Sequence, residues 1–311
     1  MTAAKKKARP AKAAPAHPAP ARAVRTVYDF LQEHGRLPKL GDPEPPWTFK
    51  GWALPYVQQI HALHPDVPDR WGYLLRTLEA GHLLDEPIPP IHFGPTNQQV
   101  AGMLDRWTGT VGWDMGGWSD FRVLVEWLGW SLGVLGECPD LKDATHEKLY
   151  RDVNLVPLLE SPRDYLGMWV SERKAAGWNP SGFYPTPHEV CELMIAMTMH
   201  DYGEEGRDAR TASVCDPCVG TGRMLLHASN LSLNLYGQDI DHLVCSICKI
   251  NGALYAPWIV CPLGEEILGR PVPARPPAPL PVPEDRQPPE GVPVYRADDL
   301  GQLLLFHPSE D

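Results

Sequence analysis

The sequence predicts an α/β fold in two parts, a mostly helical N-terminal region followed by a domain built on a parallel sheet. Three observations carry this. Residues 26–175 place apolar side chains at helical spacing between Gly/Pro breaks. From about residue 178, short apolar runs alternate with helical segments. The first of those runs ends in a glycine-rich turn containing Gly220 and Gly222, where a parallel strand would hand over to its crossover helix.

Residues 1–25 form an Ala/Pro/Lys tail with seven basic residues and no acid. Such a composition buries too little apolar surface to offset chain entropy, so disorder is expected. The tail is either a solubilising extension or a basic arm for nucleic acid. Over residues 26–175, Val27, Phe30 and Leu31 have helical spacing, as do Trp71, Leu74, Leu75 and Leu78, and then Phe121, Leu124, Val125, Trp127 and Leu128. Breaks at 41–46, 87–95 and 109–117 divide the region into several short helices. Nine of the eleven tryptophans lie between residues 47 and 169, and at helical spacing they are expected in the core rather than stacked on bases.

Beyond 176 the expected order is a helix at 188–199, a strand at 212–216, a helix at 221–229, a strand at 233–239 and a helix at 242–254. Residues 262–293 are saturated with proline and predict a polyproline-like linker or loop. Val292 to Arg296 reads as one further short strand, followed by Ala297-Asp-Asp-Leu300.

The net charge is −11. Without the tail, 21 basic residues face 39 acidic ones, a balance of −18. Phosphate contacts need Lys and Arg, so an acidic body is a poor nucleic-acid binder without local basic patches or a partner chain. No apolar run reaches the ~18 residues that cross a bilayer. No apolar stretch follows the basic N-terminus, so a secretory signal is not expected. A soluble, cytoplasmic protein is the expectation.

The chemistry concentrates in Val214-Cys-Asp-Pro-Cys-Val-Gly-Thr-Gly-Arg223 and Tyr236-Gly-Gln-Asp-Ile-Asp241. Glycines at the end of a first strand let a nucleoside cofactor approach the backbone. An acid there, Asp216, suits a cationic group. A second acid at the tip of the next strand, Asp239, 23 residues on, suits ribose hydroxyls.

With Ser181-Gly-Phe-Tyr-Pro-Thr-Pro187 just upstream, these segments resemble the amino-methyltransferases of type I restriction-modification systems and their adenine-N6 relatives. That family carries Gly-Gln-Phe-Tyr-Thr-Pro, Asp-Pro-Ala-Cys-Gly-Thr-Gly and Tyr-Gly-Gln-Glu-Ile-Asp at similar separations. Asp164-Tyr-Leu-Gly-Met-Trp169 also resembles the helix preceding the first of these motifs. The resemblance spans about 162–258 and implies a Rossmann-like, S-adenosylmethionine (SAM)-dependent methyltransferase domain over 176–311, behind a helical domain. It implies that Phe183 and Thr186 line the methionine end of SAM. Asp216, Gly220 and Gly222 would form the binding turn, Asp239 would hold the ribose, and Asp298 would meet the adenine amino group. DNA is the implied substrate, with a second methyltransferase or specificity subunit as a possible partner.

The resemblance stops at catalysis. The family's Asp/Asn-Pro-Pro-aromatic motif, which accepts the hydrogens of the adenine amine and stacks on the flipped base, is not found. Arg286-Gln-Pro-Pro-Glu290 lacks the aromatic, and Glu44-Pro-Pro-Trp47 matches only as a permuted motif with Glu in the first place. Only 13 residues follow Asp298, so the sheet is expected to be incomplete within this sequence. Three function classes follow: a SAM-binding adenine-specific DNA methyltransferase homologue that needs a partner for base capture, a catalytically inactive scaffold derived from one, or a zinc-binding nucleic-acid module. The last rests on Cys215-Asp-Pro-Cys218 and Cys245-Ser-Ile-Cys248, whose spacing suits zinc. Cys218 matches the family's own cysteine in the binding turn, and cysteines one helical turn apart are commonly small buried hydrophobes, so no metal is expected.

Overall fold

A computed structural model describes residues 45–112, 118–175, 183–204 and 208–269. The expectations for the basic tail, the Val27 to Leu31 helix, Glu44, most of the proline-rich segment, the strand at 292–296 and Asp298 lie outside them.

Among the described residues, the chain first runs through α1 (Leu54–Leu63), α2 (Arg70–Ala80), α3 (Gln98–Val111), α4 (Trp118–Ser131), α5 (Asp143–Asp152), α6 (Val156–Glu160) and α7 (Tyr165–Ala175). The chain then runs α8 (His188–Glu204), β1 (Ser213–Asp216), α9 (Arg223–Ala228), β2 (Asn234–Gly237) and α10 (His242–Tyr255). Local chemistry sets several ends. Asp69 caps α2 by accepting from the Gly72 amide, and α2 stops at Gly81 in the left-handed region. Asn97 and Asp241 cap α3 and α10 in the same way, accepting from Gln99 and Leu243.

The tryptophans largely build the core, as their spacing implies. Trp47, Trp52, Trp71, Trp107, Trp127, Trp169 and Trp258 are buried. Trp52 meets Trp127 edge-on at 5.7 Å, and Phe121 stacks on Trp169 at 3.9 Å. In α2, however, Leu75 and Leu78 are exposed, and the inward face carries Arg70, Trp71, Tyr73, Leu74 and Thr77. Arg70 has no acid partner among the described residues. It donates to the Ser229 hydroxyl and carbonyl and to the Tyr255 carbonyl, with its guanidinium 4.3 Å from the Trp258 ring centroid. Burial lowers its pKa to about 9. Hydrogen bonds to carbonyls thus make a cation acceptable where apolar spacing alone suggests leucine.

β1 and β2 pair in parallel, Ser213 with Asn234 through Asp216 with Gly237, and these are the two strands among the described residues. α9 packs against α8 and both strands, and α10 packs on α4. One buried apolar cluster therefore runs from Trp47 to Leu268. The expected strand at 233–239 stops at Gly237, because Asp239 turns inward to accept from the Gly220 amide. The expected helix at 221–229 starts two residues later, because Gly222 is left-handed at φ 90°. No helix among the described residues is long and apolar enough to cross a membrane.

Candidate cofactor site

The carboxyl ends of β1 and β2 open into a cavity of about 360 Å³. Its size is in the range of small-molecule sites, and it lies where parallel α/β sheets bind ligands. Backbone bonds fix its floor: Gln238 N donates to Asp216 O at 3.0 Å, and Val219 N to Gln238 O at 2.9 Å. The structure brings Phe183, Thr186, Asp216, Gly220 and Asp239 together in the lining, although 56 residues separate the first from the last. Gly222 stands just behind it.

Each residue has a distinct environment. Asp216 accepts from the Cys218 amide at 3.0 Å through Oδ1. Burial, reinforced by the nearby charge of Asp239, holds its pKa above the usual aspartate value, and the Cys218 bond opposes this only in part. Asp239 accepts from Gly220 N at 2.9 Å and from Asp241 N at 3.0 Å, one on each oxygen. A carboxylate has about four acceptor positions, so each oxygen retains one for a ligand. The Phe183 ring lies against Gly220, where a β-carbon would come within 3.1 Å of it. Thr186 is exposed, and its carbonyl accepts from Arg223 Nη1 at 3.1 Å.

The charge of the lining is one-sided. Among the described residues, Asp216, Asp239 and Asp241 contribute three carboxylates, and Arg223 is the one Lys, Arg or His of the lining. Arg223 is itself committed, since its Nε donates to Asp164 at 2.8 Å. The lining also includes two exposed large side chains, Tyr184 at 81% and Ile240 at 75%.

Sequence reasoning placed Asp164 only at the start of a helix and gave it no role, and it passed over Asn251. Asp164 is fully buried and accepts from Gly167 N, Asn251 Nδ2, Thr221 Oγ1 and Arg223 Nε. Asn251 also donates to the Thr221 carbonyl at 2.9 Å. The available sign was an unforced acid just before an apolar helix, which reads as an ordinary N-cap.

The cysteine pairs occupy different environments. Cys215 and Cys218 are exposed, whereas Cys245 and Cys248 are buried on α10. Burial pushes the Cys245 thiol up to about 11 and raises that of Cys248 further, away from the thiolate form zinc takes. Cys248 packs against Gly222. No cluster of three or more metal-ligating side chains occurs among the described residues. Trp47, of the permuted-motif reading, lies in the core, stacked on His146 at 6.2 Å and away from the cavity.

Comparison with curated proteins and with solved structures finds no match to this chain. A family model does match: residues 170–256, which run from within α7 through α10 and contain Phe183, Thr186, Asp216, Gly220, Gly222 and Asp239, are similar to the N-6 DNA Methylase family.

Proposed function

We propose that this chain binds SAM in the cavity at the ends of β1 and β2 and serves adenine-N6 methylation of DNA. The observation that carries the reading is the acid-rich cavity inside the family-matched span, whose one basic side chain among the described residues is already paired. SAM, which supplies a sulfonium-bound methyl group, carries two positive charges and one carboxylate, so such a lining favours it electrostatically. Asp216 receives the methionine ammonium, and the free acceptor positions of Asp239 receive the ribose hydroxyls. Gly220 and Gly222 let the cofactor approach the turn, while Phe183 and the Thr186 segment close the methionine end. Asp298, outside the described residues, keeps its proposed role at the adenine amino group by resemblance. The loss of the sulfonium charge on methyl transfer weakens the product's attraction to the same acids.

Base capture belongs to a second chain in this reading. No Asp/Asn-Pro-Pro-aromatic motif occurs in the sequence, and the nearest match puts Trp47 in the core. The same observation favours, as the second reading, a cofactor-binding scaffold without transferase activity. Both place the protein in the cytoplasm, with DNA and a methyltransferase or specificity subunit as partners. Isothermal calorimetry with SAM tests the site: micromolar binding is expected, and no heat at high micromolar SAM rejects it. Methyl transfer from labelled SAM to adenine-containing DNA, with this chain alone and with its partner subunit, separates enzyme from scaffold.

A further inference from the structure

The part of the chain that precedes the family-matched span reaches into the cofactor site through one side chain. Asp164 lies six residues before that span and stands at the entry to α7. It is 0% exposed. Oδ1 accepts from Gly167 N at 2.8 Å and Asn251 Nδ2 at 2.9 Å, and Oδ2 accepts from Thr221 Oγ1 at 2.5 Å and Arg223 Nε at 2.8 Å. Four donors fill the acceptor capacity of a carboxylate. One comes from the turn, one from the first residue of α9, one from α10 and one from the helix that Asp164 caps.

The consequences spread from this point. Thr221 lies between Gly220 and Gly222, so holding its hydroxyl fixes the two left-handed residues that shape the turn. Arg223, held by Asp164, reaches on to the Thr186 carbonyl and so places the Phe183 to Pro187 segment over the cavity. Asn251 ties Asp164 to the Thr221 carbonyl and closes the network. Without the carboxylate, Arg223 would be a nearly buried, unpaired cation beside a site proposed for a cationic ligand.

We infer that Asp164 is the positioning residue of the SAM site, a carboxylate from the helical part that preorganises the binding turn and neutralises Arg223 without touching the cofactor. The inference rests on the SAM reading for its ligand but has a readout in the ligand-free protein. An amide at position 164 would set its NH2 group against at least one existing donor whichever way it is turned. The experiment compares wild type with Asp164→Asn, Thr221→Val and Thr221→Ser in the full chain. It uses SAM calorimetry, thermal melting, and hydrogen exchange of the 218–222 amides without ligand.

Asp164→Asn is expected to weaken SAM at least tenfold and to speed exchange at Gly220 and Gly222. Thr221→Val, nearly isosteric, is expected to weaken SAM several-fold, and Thr221→Ser to restore it. If Asp164→Asn does not fold, the Thr221 pair decides. Folded Asp164→Asn or Thr221→Val protein with wild-type affinity and wild-type exchange in the turn overturns the inference. If wild type itself fails to bind SAM, the cofactor reading falls, and the exchange of the ligand-free turn alone decides the role of Asp164.

Discussion

Asp216 answers to two opposed demands. Burial and the charge of Asp239 make its ionised form unfavourable in the folded chain. That same ionised form is what a cationic cofactor requires. A carboxylate whose pKa is raised on folding stabilises the protein when protonated, and this contribution is lost as pH rises through its folded pKa. At neutral pH, therefore, Asp216→Asn is expected to raise the Tm of the ligand-free protein while weakening SAM at least tenfold, as melting and calorimetry would show. A fall in Tm would mean that the side chain is structural rather than held ready for a ligand. SAM affinity should also decline on acidification before an ordinary aspartate protonates, at about pH 4. At this scale local sequence singled out Asp216, Asp239 and Gly220, which line one cavity, and Gly222 beside them, because each is a residue type that a fixed local frame demands. It was not legible at Asp164, because nothing near residue 164 indicates that its carboxylate will meet Thr221, Arg223 and Asn251.

At the scale of elements, the junction of β1 with α9 depends on close approach. Gly222 sits at φ 90°, and a β-carbon there would come within 2.7 Å of Cys248 Sγ on α10. Gly222→Ala therefore meets both backbone strain and overpacking, together about 2–4 kcal/mol of destabilisation. Adding Cys248→Ala removes the clash but not the strain. The double variant is thus expected to recover part of the loss in a denaturant melt, and additive losses would place the cause elsewhere. The elements themselves were readable from periodicity, and β1, β2, α8 and α10 stand close to where their patterns put them. Their ends differ where a tertiary contact intervenes. β2 yields Asp239 to Gly220, and α2 turns Arg70 inward because the backbone carbonyls of Ser229, just after α9, and of Tyr255 in α10 await it.

For the whole molecule, buried histidines set the response to acid. Trp127 Nε1 donates to His146 Nδ1 at 3.0 Å, and an indole N–H can only donate, so His146 must accept. His188 Nδ1 and His227 Nε2 share a hydrogen bond at 3.0 Å, so one ring of that pair must also accept. Burial lowers the pKa of all three. In His188 the positive charge of Arg223 adds to it, and the value falls to about 3. Groups depressed on folding stabilise above their unfolded pKa, about 6.5, and lose that contribution as pH falls toward their folded values. The Tm is therefore expected to fall by about 5 °C or more between pH 7 and pH 5, and His227→Gln should flatten that slope. A flat profile in wild type would contradict the neutral assignment. Because α10 packs on α4 and the apolar cluster is continuous, a fragment of residues 176–311 should show no cooperative unfolding transition. A two-state melt of that fragment would show that the sheet region is independent of the helices.

The sequence by itself determined the alternation of elements, the tryptophan core, the glycine-rich turn and the two acids at the strand ends. These follow from periodicity, burial and local backbone geometry, which neighbouring residues specify. Only the tertiary structure decided which distant groups meet: Asp164 with the turn 57 residues on, Arg223 with Thr186, Cys248 with Gly222 and Arg70 with α9 and α10. Those partners are buried polar or close-packed groups. Their identities are set by what the other side of the contact needs to satisfy a hydrogen bond or fill a space, and one stretch of sequence holds only half of each pair.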